Sequence, residues 1–541
     1  EAKGHAFRTD SDTEIILEAY AEWGEPCVER FQGMFAFALW DAPKKTLLLA
    51  RDQIGVKPLY YTRAGNVLYF ASEMKALLEI PGISREMDLE ALDDYLAFLH
   101  TVPPRTFYKA IRQLPPAHTA LWRDGEWRER RYWRLQRRDD TRTPEEWQDA
   151  VRATLRDTIR AYLVADVPLG AFLSGGLDST TILHYMNDAG AAPVNTFTVG
   201  FGKEGGHYDE SAQAATTANH YHANHHPLEA GADAAALLDT MLHHFDEPFG
   251  NPTALLTYAI CELVKKHVTV VLSGDGGDEM FGGYARHAGA ALAAQFQRIP
   301  APIRRWGLNP LIQCLPESTR GFHLPRRLRE FSAGSLMDPV DMYAHWISYY
   351  QQADKALLYT SPVQRALDGR DALDRIRALA VESGATDPAA RAMYIDLHSF
   401  LPDNVLHYGD RMSMAHGLEV RVPLADPRLA ELLAGAPGKL HVHGAKTKCL
   451  FRDAMTGLLP PGVTQRKKVG FNPPMGVWLN TTLRPLVDDC LSPETVRKRG
   501  LFHPEPIAAM LEAHRAGRRD YTWHLWALVV LDAWQRKQNG V

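Results

Sequence analysis

One stretch constrains the rest of the chain more than any other: Gly170-Ala171-Phe172-Leu173-Ser174-Gly175-Gly176-Leu177-Asp178-Ser179-Thr180-Thr181. Ala171-Phe172-Leu173 reads as the end of a buried strand, and Leu177 with Thr181-Ile182-Leu183 as the start of a helix. The turn between them is the size of a phosphate. Ser174, Gly175 and Gly176 allow backbone N–H groups to approach an anion, and the positive end of the helix faces the same place. A carboxylate does not hold phosphate directly, so the natural work of Asp178 is to carry a metal ion that does. A second stretch, Val270-Val271-Leu272-Ser273-Gly274-Asp275-Gly276-Gly277-Asp278-Glu279, again runs a buried strand into Ser-Gly and acidic residues. Loops of this kind at neighbouring strand ends offer two carboxylates, Asp178 and Asp278, to bracket Mg²⁺ on a pyrophosphate. An ordinary glycine turn and a solvated acidic helix cap are the plainer alternatives; the cap accounts for Asp278 or Glu279 but not for residues 273–277.

The 541 residues, 45% hydrophobic and 23% charged, suffice for two or three globular domains. A formal net charge of -5 gives no reason to expect nucleic acid or an acidic membrane as partner. The five cysteines, Cys27, Cys261, Cys314, Cys449 and Cys490, are widely spaced and never form C-x-x-C, which argues for a reducing compartment and against structural zinc. No apolar run approaches the roughly 20 residues of a membrane span, and the first residues contain no secretory h-region, so a cytoplasmic location is expected. The chain begins Glu1-Ala2-Lys3-Gly4-His5, as if entered partway through a domain.

Residues 12–20 carry an amphipathic helical pattern capped by Asp10 or Ser11. Apolar segments at 34–40, 46–51 and 67–71, separated by turn signals, predict strands of an antiparallel sheet, followed by a basic, Trp-rich stretch over 121–138. The domain boundary falls after it, giving segments 1–138 and 144–541. From Pro144 a helix runs toward Tyr162. Strands at 170–173, 194–201 and 268–272 then alternate with helices, one of them starting at Tyr208, which predicts a parallel sheet with ligands at the carboxyl ends of its strands. Beyond Gly283 the chain reads mostly helical, and the Trp523 and Trp526 tail reads as packed core.

Residues 174–179 resemble the pyrophosphate loop of the ATP pyrophosphatases, and no Gly-Lys-Ser/Thr follows, so transfer of the gamma phosphate is not the expected reaction. The similarity goes further. Gly33-Met34-Phe35-Ala36-Phe37-Ala38, Arg51-Asp52-Gln53-Ile54-Gly55-Val56-Lys57-Pro58-Leu59-Tyr60, both loops, Asp410-Arg411-Met412-Ser413-Met414-Ala415-His416-Gly417-Leu418-Glu419-Val420-Arg421-Val422-Pro423 and Arg466-Lys467-Lys468-Val469-Gly470-Phe471 together resemble the glutamine-hydrolysing asparagine synthetase family. The resemblance implies an α/β chain: part of an N-terminal nucleophile (αββα) glutaminase domain, then a parallel-sheet PP-loop ATP pyrophosphatase domain with a helical C-terminal part.

By that resemblance ATP and Mg²⁺ are the cofactors, and aspartate attacks the alpha phosphate of ATP to give beta-aspartyl-AMP, from which ammonia displaces AMP. Phe172, Leu173, Ser174, Gly175, Gly176, Asp178, Ser179, Val199, Ser273 and Gly274 then fall at ATP contacts. Asp275 stands at a site implicated in forming the acyl-adenylate, where an acidic group also suits general-base work on the attacking amine. Lys448 aligns with the family's active-site lysine, a cation for the charge growing on phosphate, with Lys446 as a rival two residues away. Thr253, in Asp246-Glu247-Pro248-Phe249-Gly250-Asn251-Pro252-Thr253, and the pair Arg411 and Arg421 are candidates for the acidic substrate; structural salt bridges are the alternative for the arginines. The implied partners are aspartate, ATP and glutamine or ammonia, with a possible homodimer and neither nucleic acid nor membrane. A beta-lactam synthetase-like or lasso-peptide cyclase-like ligase adenylating another carboxylate, and a non-catalytic binding relative, are the competing readings. A tRNA-modifying enzyme fits less well, since the chain shows neither a basic surface nor paired zinc cysteines.

The front of the chain departs from the family. The catalytic cysteine at the extreme N-terminus, an Arg and an Asn-Gly-Glu segment are not in this sequence, while Asp12 matches the last glutamine contact. Cys27 follows Pro26 inside the chain and reads as a buried structural thiol. The polypeptide as written is therefore not expected to hydrolyse glutamine, either because it is a fragment or because that activity has been lost. The strands from Met34 onward favour a fragment, since a domain without its first strands exposes sheet edges. Upstream codons in frame with Glu1 are expected to encode a start beginning Met-Cys; a stop codon directly before Glu1 with no such start is the contrary result.

Overall fold

The computed structural model describes residues 3–137, 140–200, 210–229, 234–314, 324–466 and 473–538. The chain divides into two compact units, Glu1–Met87 with Pro103–Gln136, and Asp88–Val102 with Arg137–Val541.

The first unit begins with α1 (Asp12–Trp23), where the Ser11 hydroxyl accepts from the Thr13 N–H at 3.2 Å; Ser11 is the cap, not Asp10. Its strands are β1 (Ala36–Asp41), β2 (Thr46–Arg51), β3 (Tyr60–Ala64), β4 (Val67–Ala71), β5 (Ile111–Gln113), β6 (His118–Arg123) and β7 (Glu126–Arg131), with α2 (Met74–Leu78) after β4. They form two antiparallel sheets, in the orders β1-β2-β6-β7 and β4-β3-β5. The basic stretch expected merely to close the segment is the β6–β7 hairpin. Asp124 and Gly125 at its tip both have positive φ, 51° and 85°, which is the Asp-Gly turn that matches strand twist. Charges on β7 obscured its alternation, and Trp122 pairs across the turn with Trp127.

The Arg51–Tyr60 motif serves as a rigid corner. The Asp52 carboxylate accepts from the N–H groups of Gly55, Val56 and Lys57 at 2.6, 2.9 and 3.0 Å. The buried Arg51 guanidinium donates to the carbonyls of Lys57, Leu114 and Gly55. Gly55 has φ +81°, and a Cβ there would lie 2.5 Å from Pro116 Cγ, so only glycine fits without strain. Cys27 is fully buried and burial pushes its thiol up to about 11, which agrees with the structural role expected of it.

The second unit contains α3 (Leu89–Phe98), α4 (Pro144–Tyr162), β8 (Leu169–Phe172), α5 (Leu177–Asp188), β9 (Asn195–Gly200), α6 (Ser211–His220), β10 (Asn224–Glu229), α7 (Ala234–Phe245), α8 (Thr253–Val264), β11 (Val270–Leu272), α9 (Gly277–Phe281), α10 (Ala285–Phe296) and β12 (Glu419–Arg421). Beyond α10 the regular elements among the described residues are helices, apart from β12 and two isolated bridges. A reciprocal capping box of Thr143 and Glu146 starts α4. The sheet order is β10-β9-β8-β11-β12 and every pairing is parallel, as expected. The chain builds outward from β8 to β10, then returns to lay β11 on the other side of β8. That reversal is a topological switch point, where the strand ends splay and leave a crevice.

In the second unit two strands escaped the pattern reading. The sequence of β10, Asn-His-His-Pro-Leu-Glu, has no apolar run and tolerates Pro227 because it is an edge strand, and β12 is only three residues long. Helix α6 begins at Ser211 with Glu210 as its N-cap; Tyr208, from which a helix was expected, lies outside the described residues. Helix α3 precedes β5 in sequence yet belongs to the second unit. Its Asp93 and Asp94 are buried there against Lys355 (2.7 Å to Asp93) and Arg370 (2.8 and 2.6 Å). Stripping one partner from a buried pair costs about 3–5 kcal/mol, so these ion pairs fasten α3 firmly. Helix Thr522–Gln538 buries Trp526 and Trp534, whereas Trp523, expected with Trp526 in the core, is half-buried. No described helix is long and apolar enough to cross a membrane.

Candidate active site

The two Ser-Gly loops follow β8 and β11, which pair in parallel with Val270 opposite Leu169 and Leu272 opposite Ala171. Adjacent strand ends bring the loops into contact. A Cβ on Gly274 would stand 2.9 Å from Asp178 Cβ, and one on Gly277 would stand 2.7 Å from Asp178 Oδ1. The second loop therefore wraps the aspartate of the first, and glycine is required for that approach. In the first loop the Ser174 N–H donates to Ser179 Oγ at 3.2 Å, the two serine hydroxyls lie 3.1 Å apart, and the Gly176 N–H donates to Ser174 Oγ at 3.2 Å. Gly175 has φ +73° and backs closely onto Gln213 of α6. Phe172 and Leu173 continue β8 toward the loop, with the Leu173 N–H on the Phe197 carbonyl at 2.8 Å and its own carbonyl accepting from Thr198 Oγ1. Val199 is half-buried near the end of β9. In the second loop Ser273 Oγ donates to Asp275 Oδ2 at 2.8 Å.

A third segment supplies the cation. Lys448 Nζ lies 2.6 Å from both carboxylate oxygens of Asp178 and 2.7 Å from Asp278 Oδ1, and the side chain is buried. The ammonium thus occupies the point on which both expected metal-bearing carboxylates converge. Lys448 also has left-handed backbone, φ 55° and ψ 34°, at the start of helix Cys449–Met455. Such a conformation in a non-glycine residue is strained and persists where its surroundings enforce it. The rival Lys446 sits exposed in the preceding turn, its carbonyl accepting from the His443 N–H. Gly283 closes the other side: a Cβ there would overlap Asp278 Oδ1 and Lys448 Cε.

Two participants were quoted in motifs but given no role by sequence reasoning. Arg466 donates from Nη1 to the Gly175 carbonyl, which brings a second cation to the first loop. The remainder of its motif, 467–471, lies outside the described residues. Glu279 is buried beside Asp278 and accepts a 2.6 Å hydrogen bond from the Tyr284 hydroxyl. Burial pushes its carboxyl up to about 7, against the hydrogen bond from Tyr284, which acts downward. A Glu followed five residues later by Tyr across two glycines was the available signal.

The weaker substrate candidates fare unequally. Arg421 is not available to grip a carboxylate: its guanidinium is engaged by Glu419 at 2.7 Å and by the carbonyls of Tyr162 and Val164 at 2.8 and 2.7 Å. It ties the edge strand β12 to the end of α4, and its own carbonyl receives the Ser273 N–H at 2.8 Å. Thr253 opens α8 with its N–H on Asn251 Oδ1 at 3.0 Å, and Arg411 is buried on helix Leu406–Met414, which packs along α8. Asp12 is exposed at the first residue of α1 in the first unit. Among the described residues no group of three or more His, Cys, Asp or Glu side chains forms a metal-holding cluster. Two carboxylates converging on one point still suit a hard cation whose remaining ligands are phosphate oxygens.

A parallel α/β sheet with an anion cradle and a buried lysine at its switch point defines a nucleotide-handling class of unit. Comparison makes this specific. The asparagine synthase family model matches residues 150–536, and the glutamine amidotransferase domain model matches residues 1–133. Glutamine-hydrolyzing asparagine synthetase 1 of Bacillus subtilis is 30% identical over 535 residues, covering 99% of this chain and 82% of that protein. A putative glutamine-hydrolyzing asparagine synthetase of Mycobacterium bovis is 33% identical, covering 98% and 80%. Amidase chyE of Penicillium rubens is 27% identical, covering 91% and 77%. The chain belongs to the asparagine synthase family, and with it to the ATP-dependent amide-forming ligases.

Gly283→Ala is expected to displace Asp278 and Lys448 and to lower ATP-dependent turnover by about 100-fold, measured as ATP consumption by a folded variant. Glu279 offers a separate check. Its folded-state value of about 7 lies above its ordinary 4.5, so the native state keeps a proton that the unfolded chain releases, and stability falls as pH rises through that window. Urea unfolding across the window is expected to show this slope in the parent and a flatter one in Glu279→Gln.

Proposed function

We propose that the chain makes asparagine from aspartate through beta-aspartyl-AMP, with ammonia as the attacking nitrogen. The observation that carries this reading is the convergence of Asp178, Asp278 and Lys448 at adjoining Ser-Gly loops. In this reading Ser174, Gly175, Gly176 and Ser179 cradle the phosphates of ATP, with Ser273 and Gly274 on the opposite side. Phe172, Leu173 and Val199 border the adenosine. Asp178 and Asp278 are the residues that would hold Mg²⁺, which when bound offsets charge on the departing pyrophosphate. Lys448, held in a water-poor setting, stabilises the negative charge that develops as the aspartate carboxylate meets the alpha phosphate, an effect worth several kcal/mol in such sites. Asp275, on the same loop, accepts a proton from the nitrogen nucleophile as the acyl–phosphate bond breaks. Thr253 and Arg411 are proposed for the aspartate, and Asp12 for glutamine. The domains are proposed at 1–138, the C-terminal portion of a glutamine amidotransferase domain, and 144–541, the synthetase.

A second reading adenylates a different carboxylate and keeps every one of these roles except the substrate contacts, of which Arg421 is already lost to Glu419 and two carbonyls. Supplying ammonia directly separates the two without involving glutamine. Aspartate is expected to stimulate AMP release from ATP more than other carboxylates in a panel, and Asp178→Ala is expected to lower that release on the order of 10³-fold. No aspartate-dependent AMP would exclude asparagine synthesis, and full activity in Asp178→Ala would overturn the site.

A further inference from the structure

A formal net charge of -5 over the whole chain conceals a local excess of the opposite sign. Residues 280–316 contain four arginines, Arg286, Arg298, Arg304 and Arg305, and no Asp or Glu. Residues 324–337 add three arginines against the single Glu330. Within the first stretch lies one helical run, α-helical over Ala301–Ile303 and Asn309–Gln313 and widened to a π turn over Arg304–Leu308.

This run turns polar groups toward the protein. Arg304 is buried, donating from Nε to the Ile299 carbonyl at 2.9 Å and from Nη1 to the Ser335 carbonyl. Asn309 Oδ1 accepts from the Ser332 hydroxyl, and Gln313 Nε2 donates to the Arg329 carbonyl at 3.1 Å. Leu308 and Ile312 are half-buried beside them. The largest apolar side chains point the other way: Ile303, Trp306 and Leu311 are 54%, 76% and 72% exposed. Their spacing keeps them on one side of the helix, where a water-facing helix normally carries polar residues. Leu336 and Met337, next to the Ser335 carbonyl that Arg304 holds, are exposed as well. Apolar surface gathered in this way marks a docking face.

The charges select what docks there. The Arg305 guanidinium lies 5.5 Å from the Trp306 ring centre, and both Arg305 and Arg298 are exposed, so cations border the apolar face. A second copy of the chain, paired about a two-fold axis, would set this face against itself and bring arginines to arginines, with no carboxylate in residues 280–316 to receive them. A nucleic acid would satisfy the arginines and leave the aliphatic side chains without a partner. An anionic bilayer satisfies both groups: lipid phosphates take the guanidiniums, and the acyl boundary takes Ile303 and Leu311 with the indole at the interface. The run is about 20 Å long, too short to span a bilayer, and so lies in its plane.

We propose that the Ile303–Leu311 face docks the chain on an anionic lipid surface, with Trp306 inserted and Arg298 and Arg305 at the headgroups. The docking is independent of the reaction proposed above.

The test uses the full chain without ATP or aspartate, and vesicles of phosphatidylcholine with or without phosphatidylglycerol, read by flotation. The chain is expected to float with the anionic vesicles and not with the neutral ones. Trp306→Ser and Arg305→Glu are each expected to weaken partitioning by about tenfold or more. Both positions are exposed, so the variants are expected to keep the parent's far-UV circular dichroism, and either folded one decides the matter. No flotation with anionic vesicles, equal flotation with neutral ones, or flotation unchanged in the folded variants overturns the proposal. So does a concentration-dependent dimer of the parent that Trp306→Ser abolishes, which would assign the face to a second copy.

Discussion

The rest of the candidate site depends on one ion cluster, the Lys448 ammonium held between Asp178 and Asp278. Three distant segments meet in it, two from loops on neighbouring parallel strands and one from a helix start far along the chain. Taking a lysine out of water is unfavourable unless carboxylates compensate it. Here two carboxylates compensate it, and Lys448 keeps left-handed backbone beside them. The same arrangement explains the glycines: Gly274, Gly277 and Gly283 are the places where any Cβ would push a member of the cluster aside.

Sheet topology places the cluster. Because the chain builds from β8 to β10 and then returns to β11, the strand ends on either side of the reversal bring two similar loops together. Arg421 supports this from the edge by tying β12 to α4 while its carbonyl receives the Ser273 N–H. An arginine that resembles a substrate ligand in a linear motif is thus a brace for the strand that carries the loop. Glu279 and Tyr284 extend the loop into the helical region, where Arg286 lies between two aromatic rings at the edge of a charged cavity.

Much of this was legible in the residue order. Strands with apolar runs, β2 and β4 among them, and helix α4 with its capping box appear where local pattern predicts them. Elements whose stability comes from neighbours did not show themselves. The edge strand β10 is polar and contains proline, and β7 is charged, so neither carries a periodic signal. Likewise α3 has no local mark of belonging to the second unit, because the ion pairs that fasten it there join it to Lys355 and Arg370, more than 250 residues away.

By itself the sequence determined the parallel α/β class of the second unit, the two Ser-Gly loops and the identities of their acidic residues, since strand, glycine turn and helix are written in consecutive residues. Only the tertiary structure decided that Lys448 and not Lys446 reaches those acids, that Arg421 is a brace, and that Glu279 is buried under Tyr284. The reason is physical. Backbone conformation follows from near neighbours, whereas the charge environment of a side chain is set by whatever the fold brings within a few ångströms of it.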